Sequence, residues 1–368
     1  MEKKIVLVDI YQLQVAETGI KKYIEELISL INESESTKYE YHFFPENFTR
    51  SASQSKLRSH WNYFLHKQYI LPKQVKILNA DILFLPDYYA PIKAQRAKKV
   101  VVFHDTFFWD NPGHYGRTWW AYFRRAIMKG IKKNAFVLTI SDYSKKKLQS
   151  VLPKNTKIEV LHHAQRFRQR ANETIINTLN LQEEDFFLHV GVFESRKNLP
   201  LLVKAFAQFN QMRNNKAKLV LVGKEPPSNV SNDLPVILEM IADLAIGEDV
   251  LLPGYLNDEE ITALYQNASA YVFPSLNEGF GYPILEAFVH DCPLIISDQE
   301  ALTEVAGDAA LQFKQKNLES LIESLSEVLD NKELQSKLRA RGAERLRNFD
   351  RLNYVQKLEN YFEKVLRS

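Results

Sequence analysis

Glu278 and Glu286 stand in the stretch FPSLNEGFGYPILEAF, residues 273–288, with Gly279, Gly281 and Pro283 between them. Glycines and a proline there oppose one continuous helix through both carboxylates. The glycines let the backbone turn back and bring amide groups close to a ligand. Pro283 suits the first helical position, where its missing N–H costs little. Glu286 is then expected in the first helical turn, near the positive end of the helix dipole. One loop carboxylate, several N–H donors and one helix carboxylate would border one pocket. Amide donors suit phosphate or sugar oxygens, and carboxylates accept hydrogen bonds from vicinal hydroxyls. The same residue types also serve as capping acids at a helix start, and composition alone leaves both readings open.

Two further groups could do chemistry. Arg196 and Lys197, in VGVFESRKNLPLLVKAF (190–206), form a basic pair at an expected helix start. Such a pair opposes the helix dipole, which favours an anionic ligand over ordinary surface charge. His104 follows the run KVVVF beside Asp105. Histidine there suits proton chemistry, although a histidine at a strand end is also a common structural residue. The chain has no Asp-x-Asp motif, so a carboxylate pair holding a divalent ion on a diphosphate is not indicated, and no essential metal or other cofactor is expected.

These residues need strands that end just before them. Strand runs are expected at 4–10, 39–44, 81–86, 99–105, 136–141 and 158–161, and again at 186–192, 218–223, 249–254, 270–274, 293–297 and 310–313. Nearly continuous apolar runs bounded by Gly, Pro or Asp read as buried parallel strands. Helical patterns between them imply right-handed βαβ units. The fold class is therefore α/β, with two Rossmann-like, doubly wound parallel sheets facing a cleft. The expected domains are 1–165 and 176–348, joined by a polar linker at 166–175. Residues 318–366 read as helical, and a last helix over 350–368 is expected to pack back on the first domain. Ligands in such sheets sit at the carboxyl ends of strands.

The chain of 368 residues, 45% hydrophobic and 25% charged, can bury a core in each of two domains. Its net charge of +3 conceals a division. Residues 1–170 carry 29 Lys and Arg against 15 Asp and Glu, and residues 171–368 carry 19 against 30. A basic half can meet anionic membrane, a phosphorylated acceptor or nucleic acid, or can simply attract an acidic partner domain. The lone cysteine, Cys292, excludes an intrachain disulfide and fits a reducing compartment. The opening MEKKIVLVDI is interrupted by Asp9 and suits a buried strand better than a signal peptide. With no run of about 20 apolar residues, a cytoplasmic protein is expected.

The stretch FPSLNEGFGYPILEA resembles the E-x7-E signature of the family 4 retaining glycosyltransferases, which use nucleotide-sugar donors on the GT-B fold. VGVFESRKNLPLLVKAF resembles that family's phosphate-binding segment. LPGYLNDEEITALYQNASAYVFPS (252–275) resembles its base-binding loop and the helix before the signature. TEVAGDAALQF (303–313) resembles the stretch that follows the signature, and FHDTFF (103–108) with TISDYSKKKL (139–148) resembles landmarks of the family's N-terminal domain. The resemblance implies that Glu286 binds the donor ribose and that Glu278 contacts the sugar at its reacting end. It implies that the amides of Phe280, Gly281 and Tyr282 meet sugar hydroxyls or phosphate, and that Arg196 and Lys197 neutralise the diphosphate. His104 would reach the donor sugar, Tyr255 and Leu256 would border the base, and Gly19 would belong to a phosphate-side loop after the first strand. No metal is implied.

Departures from the family pattern are Val192, where relatives carry a basic residue, and Asp291, where they carry glycine. The implied function is transfer of a sugar, from GDP-mannose or a UDP-sugar, to an acceptor hydroxyl in bacterial surface polysaccharide synthesis. The expected partners are a nucleotide-sugar donor and a glycan or lipid-linked acceptor, without nucleic acid. A sugar-nucleotide epimerase or hydrolase on the same scaffold, or a non-catalytic nucleotide-sugar or nucleic-acid binding protein, are the alternatives. The segment GRTWWAYFRRAIMKGIKKNAF (116–136) interleaves Trp119, Trp120, Tyr122 and Phe123 with Arg117, Arg124, Arg125, Lys129, Lys132 and Lys133. It could lie on an anionic membrane at the inner face, or pack its aromatics into a core.

Overall fold

The computed structural model describes residues 3–15, 19–46, 56–93, 96–110, 112–114, 116–132, 135–166, 169–213, 216–226 and 231–368. The chain divides into two compact units, one of residues Met1–Ala164 with Asp350–Ser368 and the other of Gln165–Phe349.

In the first unit the strands are β1 (Lys4–Asp9), β2 (Tyr39–Phe44), β3 (Ile82–Leu85), β4 (Lys98–Phe103), β5 (Ala135–Thr139) and β6 (Ile158–Val160). They pair in parallel in the order β2-β1-β3-β4-β5-β6. β3 and the last five residues of β4 are fully covered on both faces, as parallel strands flanked by helices must be. The helix Arg351–Arg367 packs in this unit through Tyr354, Val355, Leu358, Tyr361, Phe362 and Val365.

The second unit holds β7 (Phe186–Val190), β8 (Lys218–Val222), β9 (Val250–Gly254), β10 (Ala270–Phe273), β11 (Leu294–Ser297) and β12 (Leu311–Phe313). Their order, β12-β11-β10-β7-β8-β9, is again parallel. Its core joins Phe187, Leu219 and Val272 of the strands to Leu202, Phe206 and Phe209 of the helix Leu199–Gln211. The strand order reverses between β7 and β10 here, and between β1 and β3 in the first sheet. In open α/β sheets such switch points are where ligands bind.

Two expectations change, and one is filled in. Residues expected to form a linker begin the second unit: Asn172 N–H donates to the Glu259 carbonyl, and Thr174–Thr178 is a helical turn with Ile175 and Ile176 buried. Residues 167–168 of that stretch lie outside the described residues. Gly19 is the exposed first residue of the helix Gly19–Glu33 rather than part of a loop, and residues 16–18 before it lie outside the described residues. The amphipathic pattern Ile24, Leu27, Leu30, Ile31 extends that helix to its start. The segment 318–366 forms three helices, Leu318–Asp330, Lys332–Leu346 and Arg351–Arg367, each begun by an Asn or Asp whose side chain accepts backbone N–H bonds.

Candidate active site

The loops after β7 and β10 emerge side by side at the switch point of the second sheet. After β7 the chain makes a tight helical turn, Ser195–Lys197, and then Asn198 takes a left-handed conformation (φ 57°) before the next helix. Backbone bonds stitch this turn to the loop after β10. Leu276 N–H donates to the Arg196 carbonyl at 2.8 Å, and Asn198 Nδ2 reaches the Pro274 carbonyl at 3.3 Å. The second loop is braced from behind. Ser297 Oγ donates to the Ser275 carbonyl at 2.6 Å, Gln315 Nε2 to that of Leu276 at 2.9 Å, and Gln299 Nε2 to that of Glu278 at 3.3 Å.

These braces bring three predicted residues together. Lys197 Nζ lies 2.6 Å from Glu278 Oε1, and Arg196 Nη1 lies 2.7 Å from Glu278 Oε2. Arg196 Nε also donates to Glu194 Oε2 at 2.9 Å. Glu278 and Lys197 side chains are only 11% and 10% exposed. Burial would raise the Glu278 carboxyl, but the charges of Lys197 and Arg196 outweigh it and hold the group at about 2. Burial, the largest influence on Lys197, pulls its ammonium below the usual value, while Glu278 opposes the fall and Arg196 adds to it. The pair expected as diphosphate ligands is therefore part of a buried ionic cluster.

Past Glu278 the chain turns at Gly281, whose φ of +90° favours glycine, and a Cβ there would meet Leu302 Cδ2 at 2.5 Å. The following helix is Tyr282–Val289. Pro283 is its second residue and Glu286 its fifth, so Glu286 falls in the second turn and the dipole argument for it weakens. Its partner is instead Arg166, whose Nη1 lies 2.7 Å from Glu286 Oε1, with Tyr265 Oη donating to Oε2 at 3.5 Å. The Arg166 guanidinium also stacks on Tyr282, 4.3 Å from the ring centroid. Arg166 is the first residue of the expected linker, 166–175. Its partners lie more than a hundred positions away, and the only sequence signal was its place in a basic stretch. The Phe280 side chain is buried against Phe349, leaving its backbone as the part that could meet a ligand.

After β9, Tyr255 is 79% exposed and Leu256 is buried. They lie at the carboxyl end of β9, away from the β7–β10 switch. The approach of β7 to β8 needs glycine: a Cβ at Gly223 would lie 1.8 Å from the Gly191 carbonyl oxygen.

His104 belongs to the first unit, at the carboxyl end of β4. Its Nε2 lies 2.9 Å from the Pro86 carbonyl oxygen, which can only accept, so the proton sits on Nε2. Its ring stacks on His163 and meets Tyr23 edge-on. Burial lowers its pKa below 6.5 and favours the neutral form. Along the helix Arg117–Lys132, Phe123 is buried and Trp119 and Trp120 pack against the same core, whereas Tyr122 is 54% exposed. Its aromatics thus mostly face inward, and Lys133 lies outside the described residues. Among the described residues no helix is long and apolar enough to cross a membrane.

A family profile described as "Glycosyl transferases group 1" matches residues 171–345. The O-antigen chain mannosyltransferase B of Escherichia coli is 24% identical over 373 residues, which cover 94% of this chain and 96% of that protein. Sucrose-phosphate synthase from Thermosynechococcus elongatus superposes with a TM-score of 0.77 at 18% identity, over 99% of both chains. WaaG, a glycosyltransferase involved in lipopolysaccharide biosynthesis, does so with a TM-score of 0.68 at 15% identity, over 96% of this chain and 98% of its own. Structural likeness at such identities carries the fold. Residues 171–345, nearly all of the second unit, belong to the group 1 glycosyl transferases, and the chain is a glycosyltransferase of GT-B fold.

Proposed function

We propose that this protein is a retaining, metal-independent transferase that moves a sugar from a nucleoside-diphosphate donor to a glycan or lipid-linked acceptor in bacterial surface polysaccharide synthesis. The observation that carries the reading is the Arg196–Glu278–Lys197 cluster at the switch point of the second sheet. Breaking the glycosidic bond leaves negative charge on the departing diphosphate. Two cations already fixed beside that path stabilise it without reorganising first. A carboxyl held at about 2 has no proton to give at neutral pH. Glu278 therefore acts as an anion, accepting hydrogen bonds from the sugar and orienting Lys197. Glu286, shared with Arg166, accepts from the ribose hydroxyls at the other end of the donor. The departing phosphate helps take the acceptor proton, and attack comes from the face it leaves. His104, neutral and donating through Nε2 to Pro86, keeps Nδ1 as an acceptor for a sugar hydroxyl.

The mannosyltransferase relative supports a mannosyl donor as the first choice. The test is a screen of GDP-mannose, UDP-sugars and ADP-sugars for nucleotide release, with and without lipid-linked glycan. Release from GDP-mannose that rises with acceptor, gives an α-linked product and survives EDTA is the expected result. Loss of turnover in EDTA, restored by Mg²⁺ or Mn²⁺, would overturn metal independence. Release unaffected by acceptor would favour the hydrolase reading.

We further propose peripheral contact with anionic lipid through the exposed face of Arg117–Lys132, which presents Tyr122, Arg124, Arg125 and Lys129. Flotation with phosphatidylglycerol liposomes is expected at low salt, and its absence removes the membrane contact.

A further inference from the structure

The first sheet has its own switch point, between β1 and β3, and a buried ionic cluster occupies it. Asp9 ends β1 and Asp87 follows β3, and both are 2% exposed. Lys67, with no exposure at all, bridges them at 2.6 Å and 2.7 Å. His66 Nε2 lies 2.8 Å from Asp9 Oδ1. A π-helical turn, His66–Ile70, between the helices Lys56–Leu65 and Leu71–Ile77 turns the consecutive polar residues His66, Lys67 and Gln68 inward. One extra residue in a turn is a costly local departure that recurs at functional sites. Burying three or more charged groups is also a poor way to gain stability.

The cluster fixes a layer of half-buried residues above it. Tyr63 Oη donates to Asp87 Oδ2 at 2.8 Å. Gln12 Nε2 donates to the same carboxylate oxygen at 3.1 Å and lies 3.2 Å from Tyr63 Oη. That fixes the Gln12 amide with its carbonyl oxygen directed away from Asp87. Tyr11 stacks on His66 with centroids 4.3 Å apart and lies 5.7 Å from Tyr63. Aromatic faces suit the C–H side of a sugar ring, and an oriented amide suits its hydroxyls.

We propose that Tyr11, Gln12 and Tyr63 form a subsite for a pyranose ring in the first unit, held in shape by the Asp9–Lys67–Asp87 triad. The subsite rests on the reading of this protein as a transferase to a glycan acceptor, and it places part of acceptor recognition on these residues. Asp9, Asp87 and Lys67 are positioning residues, and the ring meets only the layer above them.

The test is saturation-transfer NMR of the full chain with a panel of methyl hexosides and N-acetylhexosaminides, beside calorimetry with UDP and GDP. The expected result is saturation of at least one glycoside by the wild type. That signal falls about tenfold in the double variant Tyr11→Ala/Gln12→Ala, the scale of a lost hydrogen bond and ring contact, while nucleotide affinity stays unchanged. Gln12→Leu, which keeps the volume, gives a partial fall and guards against misfolding of the double variant. Nucleotide binding with no glycoside signal in the wild type, or a signal undiminished in both variants, overturns the subsite alone. Absence of nucleotide binding overturns the donor reading, and the subsite falls with it.

Discussion

Lys197 Nζ and Glu278 Oε1 lie 2.6 Å apart, although 81 residues separate them in the chain. They meet because β7 and β10 are neighbours at the point where the second sheet reverses its strand order. Arg196 occupies the other oxygen of the same carboxylate, and Glu194 holds Arg196 in turn. Two cations and two carboxylates balance locally, so the cluster is stable without a ligand. Under the proposed function, an arriving diphosphate would add negative charge beside both cations.

Replacing Lys197 by Ala removes the more buried of those cations. Turnover is expected to fall by about three orders of magnitude, the scale of losing a preorganised charge at a site of developing charge. Initial rates of nucleotide release measure this, with circular dichroism confirming the fold. A variant of near wild-type rate would remove the diphosphate role from Lys197.

Glu278 also gives the second unit an acid limit. Its folded pKa of about 2 lies below the ordinary 4.5, so its ion pairs stabilise the fold fully above pH 4.5. That contribution is lost as the pH falls through about 2. The shift corresponds to about 3 kcal/mol at neutral pH. Glu278→Gln should therefore weaken amide-exchange protection of β7 and β10 near neutral pH, and the difference from wild type should vanish toward pH 2. A difference independent of pH would show that the ion pairs do not carry it.

Much of the fold was legible because its strands are continuous apolar runs with clear stops. The run 81–86 became Ile82–Leu85, although Asp81 before it still donates to the Ile5 carbonyl and accepts from Lys98 N–H. The site was legible where local chemistry marks it: Gly281 for its backbone, and the basic pair Arg196–Lys197 for its awkward place at a helix start. Contacts between distant segments were not. Arg166 reads as one more charge in a polar stretch until the fold sets it against Glu286. Gln299 and Gln315 carry no motif, yet they hold the Glu278 loop by its carbonyls. Lys67 was hidden for another reason. The π-helical turn breaks the 3.6-residue period, so no regular pattern places that lysine inside.

Arg166 holds Glu286 by charge and Tyr282 by stacking, and lysine lacks the flat guanidinium that stacks on the ring. Arg166→Lys and Arg166→Ala are both expected to raise KM for the donor about tenfold, the scale of a half-buried ion pair, and to change kcat much less. Steady-state kinetics over a range of donor concentrations separate the two constants. A fall in kcat with KM unchanged would place Arg166 in the chemical step rather than in donor binding.

Gly281 tests whether the Glu278 loop needs its turn. Its φ of +90° is strained for any residue with a Cβ, and a Cβ there would lie 2.5 Å from Leu302 Cδ2 and 3.1 Å from Ile284 Cδ1. Both neighbours are wholly buried, so neither can move into solvent. Gly281→Ala should destabilise the second unit by about 2 kcal/mol or more, combining backbone strain with overpacking. Pairing it with Leu302→Ala relieves the closest clash but not the φ. The pair should then differ from Leu302→Ala alone by only about 1 kcal/mol, the cost of the backbone conformation. Urea titration followed by amide exchange in β10 and the helix Tyr282–Val289 reads both differences. If Gly281→Ala were as stable as wild type, the turn would tolerate a side chain, and the approach of the Phe280 and Tyr282 amides to a donor would not depend on glycine.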